Sequence, residues 1–203
     1  MIDTKKVGRP KKLSRNEVLS KAMNVFWMKG YDGASIKDLT AAIGVKGPSL
    51  YAEFGDKQGL YLEAIDFYVS NDACAPLIAL ESEADIYHAV KSFFSAAIDD
   101  STQGSNGAKG CFLVSCVSTS AGNVEGAQEL LKMAIAKTEL RIAARFENLS
   151  KSFPASQRAR LLFDLRQGLV FRARAGLSAI ELMLDLEERV QLVLMDRTDI
   201  NAV

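Results

Sequence analysis

The sequence predicts an all-α protein of about nine helices. Three observations carry that expectation: apolar residues recur at helical spacing along nearly the whole chain, strand alternation is scarce, and breaks between periodic stretches fall on Gly, Pro or capping residues. A chain of 203 residues can bury one good core, or two small ones sharing a long helix. The expected organisation is a basic arm over residues 1–13, a three-helix unit over 14–60 and a larger helical body over 61–203.

Each element has a local reason. Ser14 with Glu17 three residues later is a capping-box pattern opening the first helix, and Val18, Ala22, Val25 and Phe26 supply its apolar stripe. Gly30 ends it. Ser35 caps a short second helix, with Asp38 at its positive end and Ile36, Leu39 and Ile43 inward. Gly44 makes the turn, because a helix stop followed at once by a restart needs positive φ. Val45 and Leu50 plug the third helix into the same small core. A fourth begins after Asp56 and carries Leu60, Ala64, Phe67 and Tyr68, with Pro76 at its end or at a break. Further helices are expected near 83–99, 109–119, 124–151, 156–175 and 178–196, with a flexible loop by composition over 101–110.

Composition describes a soluble globular chain, and no apolar run is long enough to span a bilayer. The polar, basic start predicts no secretory signal, and Cys74, Cys111 and Cys116 are too few for a disulfide framework, so the expected setting is a reducing cytoplasm. The formal net charge is zero but unevenly spread. Residues 1–50 hold ten Lys and Arg against four Asp and Glu, and residues 51–203 hold fifteen against twenty-one. A basic head on an acidic body is what a nucleic-acid reader with an attached regulatory domain shows.

The basic head contains a helix–turn–helix with a small, polar lead into its second helix, the form that enters a DNA major groove. Lys46, Gly47, Pro48 and Ser49 form the first turn of that helix. Lys46 reaches a guanine edge or a phosphate, Ser49 donates or accepts, and Gly47 lets backbone approach. Pro48 suits an early helical position. Tyr51 offers an aromatic arm with a polar tip. Ser35 places a helix N-terminus where a phosphate can dock, and Lys57 heads the next helix as a phosphate clamp. For Ser35 the alternative is a cap alone, and for Tyr51 simple packing. In the arm, Val7-Gly-Arg-Pro-Lys-Lys12 fixes an extended backbone with Arg9 and Lys11 suited to the minor groove; the alternative is a solvated tail.

Phe26, Lys29-Gly30-Tyr31, Ser35-Ile36, Ile43-Gly44-Val45, Ser49-Leu50-Tyr51, Phe54, Lys57 and Leu60 together resemble the signature of the TetR/AcrR family of one-component repressors. The body resembles a subgroup more loosely through Gly110-Cys111-Phe112-Leu113-Val114 and Gly168 to Gly176. The resemblance implies a homodimer that binds a palindromic double-stranded DNA operator and releases it when a small molecule fills the C-terminal domain. Lys46-Gly47 departs from the family's commoner pairing of a polar with a basic residue, which leaves the bases read open.

The apolar helices 156–175 and 178–196 carry more hydrophobic surface than one domain covers, and they match the family's dimerising pair in place. The expected interface is Leu162, Leu165, Leu169, Met183, Leu186 and Val190. The pocket is expected among helices 83–175, lined by Phe93, Phe94, Phe112, Met133 and Phe163, which favours an apolar or aromatic effector. Each of these is also an ordinary core residue. Enzyme readings find no support: His88 is the single histidine, and the Gly104–Gly110 run lacks the Gly-Lys-Ser/Thr of a phosphate loop and has no strand leading into it. No metal or cofactor is expected. Cys111 and Cys116 read as small buried hydrophobes, with a thiol- or metal-responsive regulator as the alternative. An architectural DNA binder without an effector is the other competing reading, separated by weak sequence preference and steep salt dependence.

Overall fold

The computed structural model describes residues 13–70, 74–104, 110–149 and 152–196, and all regular structure among them is helical. Arg9, Lys11 and residues 105–109 of the predicted 101–110 loop lie outside the described residues, and the start of that loop is the last turn of a helix that runs to Thr102. The first helix, α1 (Arg15–Gly33), is opened by the predicted box: the Ser14 hydroxyl accepts from the Glu17 amide, and the Glu17 carboxylate accepts from the Ser14 amide. Gly30 breaks it at φ 73°, and one further turn follows before Ala34. The second box, Ser35 with Asp38, opens α2 (Ile36–Ile43), which Gly44 ends in the left-handed region at φ 86°. The turn leads into α3 (Gly47–Phe54) and then α4 (Lys57–Ser70).

Pro76 does not end a helix. It sits in the first turn of a short one, α5 (Ala75–Ser82), where its missing N–H costs nothing. Next come α6 (Ile86–Thr102), a π-helical turn (Leu113–Val117) continuing into α7 (Ser118–Ser120), and α8 (Ala127–Ala144). The helix predicted over 124–151 is shorter at both ends, and beyond it Phe146 turns into the core. Helix α9 (Ala155–Arg174) matches its prediction closely. The last predicted helix divides into α10 (Ala179–Met183) and α11 (Leu186–Leu194) around a non-helical Asp185. Arg189 stitches that break, donating to the Leu182 carbonyl at 3.0 Å and the Asp185 carboxylate at 3.2 Å.

Two cores result. The first joins α1–α4 to the π-turn and the start of α8 through Phe26, Leu39, Leu50, Tyr61, Phe112 and Val117. The second joins α5, α6, α9 and α10–α11 through Leu80, Phe94, Leu162, Leu169 and Val190. The expected boundary at residue 60 falls inside α4, where Leu60, Tyr61, Ala64 and Ile65 are all completely buried. Arg158 is also buried, at 1% exposure, and it seals the end of α11 by donating to the carbonyls of Val193 (2.6 Å) and Met195 (3.0 Å) and to Asp196 (2.8 Å). Among the described residues no helix is long and apolar enough to cross a membrane.

The angle between α3 and α4 depends on Gly59. A Cβ there would stand 2.1 Å from the Phe54 carbonyl oxygen, which is backbone and has nowhere to go. The Asp56 carboxylate fixes the same corner, accepting from the Gly59 amide at 2.8 Å. Gly59→Ala should therefore cost about 1–3 kcal/mol of stability, the usual penalty for overpacking. Urea unfolding measures this, and a change within experimental error would refute the corner as rigid.

Candidate functional site

Helix α3 is amphipathic in a way that separates anchoring from presentation. Leu50 and Phe54 enter the first core, while Lys46, Pro48, Ser49, Tyr51 and Ala52 are exposed along the other side. Tyr51 leaves 45% of its surface in solvent. Gly47 is half-buried, and a Cβ on it would meet only the Tyr51 ring at 4.0 Å, so packing does not demand a glycine there. Sequence reasoning missed Arg15, which holds α3 at a fixed tilt. Its guanidinium pairs with Glu53 of α3 at 2.9 Å and with Glu63 of α4, and it stacks 4.8 Å from the Phe54 ring. No local pattern marks that role, because both partners lie far along the chain.

Two expected contacts are committed elsewhere. Lys57 does not project outward as a clamp: its ammonium donates to the carbonyls of Tyr31 (3.0 Å) and Ala34 (3.3 Å) and lies 4.3 Å over the Tyr31 ring. The chain reversal after Gly30 leaves those carbonyls without helical partners, and Lys57 supplies them. The Ser35 hydroxyl is occupied in its box, accepting from the Asp38 amide and donating to the Asp38 carboxylate. Asp38 also pairs with Lys29 at 2.6 Å. The hydrogen bond from Lys29, then those from Ser35, hold its carboxyl well below the usual range. Lys21 likewise donates to the Ile43 carbonyl at 3.3 Å. Of the six cations in residues 14–60, Lys37 and Lys46 alone remain without such an internal partner among the described residues.

A cavity of about 500 Å³ lies behind this unit. Its wall comes from α1 (Met23, Trp27), α4 (Phe67, Tyr68) and the body (Phe93, Leu113, Leu131, Phe163), with Cys74, Cys111, Asp100, Arg166 and Gln167 as polar members. Phe93 and Phe163 were expected there. Phe94 and Phe112 are instead completely buried in the two cores, and Met133 points to solvent at 67% exposure, because it lies on the outer side of α8. The polar wall was legible in principle. Arg158, Leu162, Arg166 and Val170 recur every four residues, which puts two arginines on the apolar inner face of α9.

The cysteines separate by environment. Cys116 belongs to the first core, within hydrogen-bond reach of the Phe26 carbonyl (3.2 Å) and the Tyr61 hydroxyl (3.4 Å). Cys111 faces the cavity and accepts from the Tyr68 hydroxyl at 3.6 Å. Burial pushes the Cys111 thiol up, but the nearby Arg166 guanidinium and the Tyr68 hydroxyl outweigh it and leave the thiol below its ordinary range. Burial also pushes Cys74 up, and there it prevails. Among the described residues no group of three or more His, Cys, Asp or Glu is placed to hold a metal.

The expected dimer residues are mostly internal. Leu162, Leu169 and Val190 are buried within the single chain, and Leu186 nearly so, because each fills the second core; Leu165 and Met183 are half-buried against it. A side chain already out of water has no surface to offer a partner. The exposed large apolar residues of this region are Phe171 (73%), Ile180 (79%), Leu184 (73%), in the break between α10 and α11, and Leu192.

Comparison with known proteins matches residues 18–64 to the model of bacterial regulatory proteins of the tetR family. The HTH-type transcriptional repressor ComR of Escherichia coli (strain K12) is 31% identical over 183 residues, covering 87% of this chain and 87% of that one. The HTH-type transcriptional repressor BdcR of the same strain is 38% identical over 66 residues, 32% of this chain and 34% of that one. Among solved structures, a cysteine mutant of the TetR family regulator CifR, complexed with double-strand operator DNA, is similar at TM-score 0.77 and 25% identity, over 90% of this chain and 98% of that one.

Two outcomes test the local geometry. Lys57→Ala should cost about 1–2 kcal/mol, since charged hydrogen bonds to two carbonyls are removed at a half-buried site, and unchanged urea stability would return Lys57 to the role of an outward clamp. For Asp38 the sign follows from its lowered folded pKa: its stabilisation is complete above about pH 4 and fades as pH falls toward that lower value. Asp38→Asn should flatten the acid side of the stability profile, and an unaltered profile would contradict the pairing with Lys29.

Proposed function

The chain belongs to the TetR family of bacterial regulatory proteins, and from that premise we propose that it is a cytoplasmic transcriptional repressor that binds a palindromic operator as a homodimer and is released by a small apolar or aromatic effector. The observation that carries the reading is the shared wall. Met23 and Trp27 of α1 and Phe67 and Tyr68 of α4 line the cavity, and the same two helices hold α2 and α3 through the first core. A ligand that favours a different placement of α1 and α4 therefore favours a different placement of α3. It lowers operator affinity by its differential affinity for the two states.

In this reading residues 14–60 are the DNA-binding unit, with Lys46, Gly47, Pro48, Ser49 and Tyr51 on the major groove and Arg9 and Lys11 in the minor groove. Ser35 serves as a helix cap, and Lys57 as an internal tether. The dimer forms through Phe171 of α9, Ile180 of α10, Leu184 between α10 and α11, and Leu192 of α11, large apolar side chains left exposed by the single chain. A two-fold pair would set its recognition helices roughly 34–36 Å apart, one turn of DNA.

The arm matters more here than its length suggests. Residues 1–12 hold five of the ten cations in residues 1–50, and most of the others are tied to internal partners. Selection of bound fragments from random DNA, followed by a salt titration, should return a palindrome. Removing residues 1–12 should then flatten the dependence of log K on log salt by about 0.9 for each phosphate no longer neutralised. An architectural binder would instead show little sequence preference. Leu184→Glu should yield a folded monomer by light scattering, whereas Leu162→Glu should unfold the chain. A dimer that survives Leu184→Glu together with Ile180→Glu would overturn the assigned interface.

A further inference from the structure

One buried charge on the cavity wall stands outside any ion pair. Arg166 is 95% buried, yet no carboxylate among the described residues forms an ion pair with it, and its Nε–H has no hydrogen-bond partner. Beside it on α9, neither the amide nitrogen nor the carbonyl oxygen of the Gln167 side chain has a partner. Asp100 shares the wall, but burial pushes its carboxyl up in spite of the guanidinium. The other two cations on the wall are engaged: Lys137 donates to the Val69 carbonyl at 3.2 Å, and Arg141 grips Glu81 with two bonds at 2.7 and 2.8 Å. The Tyr68 hydroxyl is directed at Cys111. Burying an ionised group alone is costly, and folded proteins pair such groups or coordinate them. Water can satisfy the N–H groups, but it leaves the charge uncompensated.

We propose that Arg166 and Gln167 form a carboxylate-binding site, and that the cavity takes a small amphipathic monoanion: an apolar body with one carboxylate head. The guanidinium fork matches a carboxylate in two parallel bonds, and the Gln167 amide adds a further donor. Met23 and Trp27 of α1 and Phe67 of α4, with Phe163 one turn before Arg166 on α9, provide an apolar lining suited to the body. A cavity of about 500 Å³ admits a compact aliphatic or aromatic acid. A phosphate monoester fits less well, since a dianion would exceed the single charge that Arg166 supplies. This deepens the effector reading and rests on it for one point: that occupancy of the cavity reaches the DNA.

Trp27 is the single tryptophan of the chain and lines the cavity, so its fluorescence reports occupancy directly. The full-length protein is titrated with three matched pairs: octanoate and octanamide, benzoate and benzamide, 4-phenylbutyrate and 4-phenylbutyramide. The expected result is that at least one carboxylate binds about tenfold more tightly than its amide, the size of one strong charged contact. In Arg166→Gln that preference should fall below about twofold while the amide affinity is kept. If Arg166→Gln fails a circular-dichroism melt, Arg166→Lys keeps the charge without the fork and should retain only part of the preference. No binding at all, or carboxylates within about twofold of their amides in the unaltered protein, overturns the proposal. The second of those results means that the Cys111 sulfur already serves as the counter-ion. A carboxylate that binds at Trp27 but leaves the operator complex intact upholds the site and overturns the effector reading alone.

Discussion

The DNA-reading helices have no core of their own. Helices α2 and α3 are eight residues each, well below the roughly 12–15 at which an isolated helix is even marginal in water. They stand because an aromatic block receives them. Tyr61 lies 4.8 Å from Phe26 and 4.8 Å from Tyr31, and Phe112 from the body packs edge-on to Tyr61 and Tyr68. Tyr61 is completely buried, with its hydroxyl 2.7 Å from that of Ser120; burial pushes its ionisation far up, so it remains a neutral hydrogen-bonding group. The block belongs equally to the DNA-binding unit and to the body. Separating the two would expose Phe112 and Tyr61 together, so the junction between them transmits displacement rather than absorbing it.

The same helix holds two buried arginines with opposite fates. Arg158 finds the C-terminal carbonyls of α11, where the negative end of a helix dipole and the Asp196 carboxylate compensate it. Eight residues on, two turns along the same face, Arg166 finds thiols, a hydroxyl and an amide, and no ion pair among the described residues. Position along the face decides the difference. One arginine lies at the closed end of the bundle and the other at the cavity, so identical side chains serve closure in one place and receptivity in the other.

Much of the fold was legible because its signals are local. Capping pairs three residues apart, glycines with positive φ and apolar stripes at 3.6 spacing placed the starts of α1 to α4 and both ends of α9 nearly to the residue. The errors share one cause: choices settled by distant partners. Pro76 is compatible with a helix end or a helix start, and only packing of α5 on α6 decides. The fates of Lys57 and Arg15 depend on carbonyls and carboxylates 23–48 residues away. The inner and outer stripes of α9–α11 are both apolar, so periodicity found the helices without saying which stripe meets the chain's own core. Phe93 and Phe163 were found as cavity residues by chemistry alone. Arg166 was missed because a cation in an apolar helix reads as surface unless its register is counted.

The recognition helix has a consequence for how such a protein changes over time. Its outer edge, Lys46, Ser49, Tyr51 and Ala52, is exposed and bears little of the packing, whereas Leu50, Phe54 and the Gly59 corner bear most of it. Substitutions on the edge therefore leave folding nearly untouched, and under the proposed docking they alter which DNA is met. A duplicated copy could drift toward a new operator through folded intermediates at every step. Target choice here is an evolvable trait, insulated from the scaffold that carries it.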